Sequence, residues 1–160
     1  MFDIGDRVVY PMHGAGIIEA IEEKKILGEN RLYYVMRIPY GDMKIMIPCD
    51  CCDTVGVREV INESELNHVA NILSEDSTEM PGNWNRRYRD NMDKLRTGEL
   101  PLTCEVVRNL MRVDRLRKLS AGEKKLLSNA KQILVSELIL ACGKNVDEVT
   151  ILIEESVFGS

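Results

Sequence analysis

The single tryptophan of this 160-residue chain, Trp84, is followed within five residues by three arginines, Arg86, Arg87 and Arg89. An indole beside a basic cluster suits nucleic acid: the ring stacks or wedges, and the guanidiniums neutralise phosphates. The plainer alternative is a core helix with a buried tryptophan and a solvated charged face. A second candidate is Cys49-Asp50-Cys51-Cys52, where crowded thiols raise metal or redox chemistry. That spacing fits no common structural zinc site, and only His13 and His68 could add imidazoles. The five cysteines are therefore expected to be free thiols, with no metal, no cofactor and no catalytic role.

Charge distribution sharpens the first candidate. The chain is acidic overall, net −5, yet residues 83–132 carry thirteen basic and six acidic groups, net +7. Residues 61–82 hold five acids and no base. A basic block inside an acidic chain points to local phosphate binding without general stickiness. No run approaches the roughly 20 apolar residues of a membrane span, and the N-terminus lacks the features of a signal peptide. A cytoplasmic protein is expected.

The elements that would position these residues change character partway along. Arg7 to Tyr10, Ile17 to Glu23, Arg31 to Ile38 and Met43 to Pro48 read as short strands, joined by His13–Gly16, Leu27–Asn30 and Gly41–Asp42. This predicts a small SH3- or Tudor-like antiparallel barrel over residues 1–55. In Met43 to Ile47, alternation sets Met43, Ile45 and Ile47 on the core face and turns Lys44 and Met46 outward. After Val55-Gly56 the apolar period becomes helical, predicting a bundle of about five helices over residues 56–160. Asn83 is a good N-cap and Gly98 a good C-terminus for the tryptophan helix. Its predicted apolar stripe is Trp84, Tyr88, Met92 and Leu95, with Arg86, Arg89 and Asp93 elsewhere. Pro101 opens the next helix, Ser120-Ala-Gly-Glu123 reads as a capping box with Lys124 and Lys125 in the turn after it, and Asn145 begins the last helix.

The order of these parts resembles the CarD/CdnL family of bacterial transcription regulators over nearly the whole chain. The matching stretches are Gly5 to Gly14 (GDRVVYPMHG), Asn83 to Arg89 (NWNRRYR), Leu119 to Lys125 (LSAGEKK) and Ala130 to Leu138. The N-terminal part also resembles the polymerase-binding module of the transcription–repair coupling factor, without a phosphate-binding helicase loop. The resemblance implies a Tudor-like domain that binds the lobe of the RNA polymerase β subunit. It also implies a helical domain touching promoter DNA at the upstream edge of the transcription bubble, with a tryptophan wedge in the minor groove that stabilises the open complex. On this basis Trp84, Arg86, Arg87, Arg89 and Lys124 are expected at DNA. Lys24, Ile26 and Met46, with Lys44 beside it, are expected at polymerase. Met46 stands where family members can carry arginine; this departure removes the basis for a salt bridge there and leaves an apolar contact open. A monomer with no small-molecule substrate is expected. A regulator binding duplex DNA without polymerase is the alternative, and a cysteine-cluster enzyme a weaker one.

Overall fold

The computed structural model describes residues 2–39 and 43–159, the side chain of Asp53 apart. Strands β1 (Arg7–Tyr10), β2 (Gly14–Ile26), β3 (Glu29–Ile38), β4 (Met43–Pro48) and β5 (Arg58–Glu59) form one antiparallel sheet in the order β4-β3-β2-β1-β5. The expected Gly41–Asp42 turn lies outside the described residues. The β2–β3 hairpin is longer than alternation predicts, because its loop is only Leu27-Gly28. Both residues have positive φ, 51° and 80°, the backbone that matches the twist of the flanking strands.

Alternation sorts the sheet as expected, with one exception. Val8, Ile18, Tyr34, Met36, Ile38 and Ile47 pack into its core. Ile47 is buried and Ile45 half-buried, while Lys44 and Met46 face out; Met43, expected inward, is 54% exposed. It opens the outermost strand, which has a neighbour on one side only, so nothing covers it.

The helical part comprises α1 (Cys52–Val55), α2 (Leu66–Ser74), α3 (Trp84–Arg96), α4 (Leu100–Leu116), α5 (Ala121–Cys142) and α6 (Val146–Phe158). After the single short turn α1, five longer helices build a core around Val69, Leu73, Val107, Leu110, Leu134 and Ile153. Asn83, Ser120 and Asn145 each cap their helix through a side-chain oxygen, and Gly143 ends α5 with φ 70°. Among the described residues no single helix is long and apolar enough to cross a membrane.

Sheet and bundle share a seam, and β5 belongs to it. The expected boundary after Val55 falls before this strand, which pairs with β1. In β1, Val8 points into the sheet core while Val9 points the other way, against Ala15 and Leu140. Glu137, buried on α5, receives two hydrogen bonds from Arg58 (2.7 and 2.8 Å) and one from the Ile61 N–H (3.1 Å). Ser136 Oγ accepts from the Ala15 N–H at 2.8 Å. At Gly14, φ is 117° and a Cβ would lie 2.9 Å from that same oxygen, so only glycine fits without displacement. Two stretches that carried the family resemblance, Gly5 to Gly14 and Ala130 to Leu138, thus meet each other across the seam.

Candidate nucleic-acid and protein-docking surfaces

Helix α3 presents Trp84 in its first turn, 51% exposed, so the indole is not a core residue. Asn83 Oδ1 accepts from the Asn85 and Arg86 N–H groups (2.9 and 3.3 Å), which holds the start of the helix without help from the tryptophan. The buried line runs through Arg87, Asn91 and Leu95, with Tyr88 and Met92 half-buried on its shoulder. That is a rotation from the expected Trp84–Tyr88–Met92–Leu95 stripe.

The cause is an anion contributed by α5. Arg87, expected at DNA, is instead buried, and its guanidinium grips the buried Glu123 through two bonds of 2.5 and 2.7 Å. Arg87 is therefore a structural residue and not a phosphate contact. Hydrogen bonds from Arg87 hold the Glu123 carboxyl below its usual range, with help from Ser120. Ser120 Oγ accepts from the Glu123 N–H (3.2 Å) and donates to Oε1 (3.1 Å), so the cap and the ion pair form one unit. This unit clamps the first turn of α3 to the first turn of α5. It thereby fixes the helix starts that carry Trp84, Arg86 and Arg89 on α3 and Lys124 on α5. The side chains of Arg86, Arg89 and Lys124 are exposed and have no partner among the described residues.

Much of the remaining basic block is structural. Arg108 is buried and donates to the Ile72 carbonyl (2.8 Å), and Arg112 donates to the carbonyls of Glu75 (2.7 Å) and Val157 (2.9 Å). Thr78 bonds Glu105 at 2.6 Å, and Lys94 reaches the same carboxylate at 3.0 Å. These contacts secure the acidic loop that leads into Trp84. The net +7 thus overstates the outward charge, since several of its cations are spent inside the domain.

The four residues expected at polymerase share one face of the sheet. Through β3, Ile26 pairs with Glu29, Lys24 with Arg31, Met46 with Val35 and Lys44 with Arg37. Those partners are separated by even steps, so all four side chains project from the side opposite Tyr34 and Met36. Ile26 is 47% and Met46 40% exposed. Lys24 pairs with Glu22 at 3.7 Å and Lys44 with Glu19 at 3.3 Å, contacts too exposed to hold either lysine in place.

Among the described residues no group of three His, Cys, Asp or Glu side chains could hold a metal ion. His13 stacks on Tyr10, 4.4 Å between ring centres. Burial pushes the Cys49 thiol up and pushes that of Cys104 up to about 12, so neither is poised as a thiolate. Replacing Cys49, Cys51 and Cys52 together by serine is expected to leave partner binding unchanged. Metal analysis of protein purified under reducing conditions checks this; stoichiometric zinc lost in the variant overturns it.

The comparisons with known proteins agree with this division. Residues 2–61 match the CarD-like/TRCF RID domain, and residues 68–154 match the C-terminal domain of CarD. The chain is also similar to the candidate transcription factor YdeB of Bacillus subtilis (strain 168), 46% identical over 138 residues, covering 86% of this chain and 90% of that protein. A Tudor-like sheet joined to a helical domain, with both halves matched in order, places the chain in the CarD family of transcription regulators.

Proposed function

We propose that the chain regulates initiation by tethering to the RNA polymerase β subunit and gripping promoter DNA at the upstream fork of the bubble. The observation that carries this is the exposed Trp84 in the first turn of α3, with Arg86 and Arg89 on the same helix and Lys124 at the start of α5, all three without a partner among the described residues. A melted junction offers an unstacked base step, and an indole placed there recovers about 1–3 kcal/mol of stacking. The cations hold the backbone in register but read no sequence. Specificity then comes from the tether and from the shape of the junction, and no catalytic group is required.

The tether is the outer sheet face holding Lys24, Ile26, Lys44 and Met46. Capture of the β subunit by this protein tests it. Met46→Glu puts a charge into the apolar part of that face and is expected to weaken capture by roughly tenfold or more, the scale of an interface anchor. The melting temperature should barely change, because Met46 lies on the exposed face. Undiminished capture, or early unfolding, overturns the assignment. A gel shift without polymerase separates this reading from that of a standalone duplex binder. Weak, salt-sensitive binding is expected, since the basic block sits in a chain of net −5.

A further inference from the structure

A groove of about 500 Å³ runs between α3 and α5, lined by Tyr88, Met92 and Leu126 and by Lys125, Ser128, Asn129 and Gln132. The last four are spaced i, i+3, i+4 and i+7, so they form one stripe of α5 facing α3. None of the four side chains has a hydrogen bond or ion pair among the described residues. Four other grooves among the described residues each include at least one carboxylate, among them Glu59, Glu79, Asp114 and Asp50. This one includes none, although the chain as a whole is acidic. Its aromatic wall, Tyr88, lies one helical turn beyond Trp84 on the same line of α3.

We infer that this groove holds one unpaired nucleotide of the DNA strand, next to the position that Trp84 contacts. The inference rests on the fork reading above and adds a second binding position to it. The base lies against the Tyr88 ring and the Met92 thioether, a stacking surface that accepts any base. Asn129 and Gln132 offer paired donors and acceptors, the groups that match a base edge once it is freed from its partner. Lys125 at the rim neutralises the phosphate. A duplex could not use the groove, because its base edges are already paired. A volume of this size lies in the range that encloses a small ligand and suits a single nucleotide.

The test measures decay of open promoter complexes, formed with polymerase and either wild-type protein, Trp84→Ala, or the double variant Asn129→Ala/Gln132→Ala. Alanine is favourable within a helix, so the double variant keeps the fold, which its melting temperature verifies. On intact promoter DNA the double variant is expected to shorten the lifetime by about fivefold or more. The same measurement is then made on templates carrying a single abasic residue at successive positions of the upstream bubble edge. At one position the double variant and wild-type should decay alike, while Trp84→Ala still shortens the lifetime. If the double variant matches wild-type on intact DNA while Trp84→Ala does not, the groove is empty and only the fork reading stands. A defect that persists on every abasic template means that the wall meets backbone alone, and the nucleotide assignment is overturned. Failure of both variants to change decay removes the fork reading and this inference together.

Discussion

Arg87→Ala is expected to destabilise the helical domain by about 3–5 kcal/mol, the cost of leaving a buried charge without its partner. For a chain of this size that lowers the melting temperature by on the order of 10 °C. The stranded group is Glu123, fully buried and held as a carboxylate mainly by the two bonds from Arg87. Replacing both members, Arg87→Met with Glu123→Leu, removes the ion pair without stranding a charge, and should recover most of the loss. Acid provides an independent check. A carboxyl whose folded pKa is depressed contributes stability that is present above its ordinary value, 4.5, and is lost as pH falls through the lower folded value. Wild-type stability should therefore decline more steeply below about pH 4.5 than that of the double replacement. Thermal melts of the three proteins across this range decide the matter; equal stability of Arg87→Ala and wild-type contradicts a structural role for the pair.

Trp84→Ala should have the opposite profile, costing little stability and much function. The side chain is 51% exposed, so its truncation falls far below the roughly 3–5 kcal/mol of a buried tryptophan. Asn83 caps the helix, and Leu95 anchors it, without the indole. Polymerase capture through the sheet should survive. Loss of about 1–3 kcal/mol of stacking corresponds to an open-complex lifetime shorter by about 5- to 150-fold. Arg86→Glu should shorten it more than Arg86→Ala, because repulsion of the phosphate adds to the lost attraction. Melting temperature and open-complex decay form the decisive pair. A variant that melts early, or one that decays at the wild-type rate, contradicts the wedge.

The sequence by itself determined the elements, because the forces that set them act between near neighbours. Alternation in β1 to β4, the helical period after residue 56, and the caps at Asn83, Ser120 and Asn145 each depend on residues a few positions apart. The outward turn of Met46 was legible for the same reason. Strand β5 was not, since two residues carry no period.

Only the tertiary structure decided which way α3 faces. Its arginines look alike in sequence, and Arg87 turns inward because Glu123 lies 36 residues further along, on a helix that packs against it. A buried guanidinium needs an anion, and the chain supplies that anion through folding, not spacing. Arg108 and Arg112 show the same limit: counted as surface charge, they instead hold the Ile72 carbonyl in α2 and the Glu75 carbonyl at the start of the loop before Trp84. The seam was decided this way too. Glu137 and Ser136 read as ordinary positions of a long helix until the sheet arrives to bond them. Composition counts charges, but only packing settles which of them remain free to meet a partner.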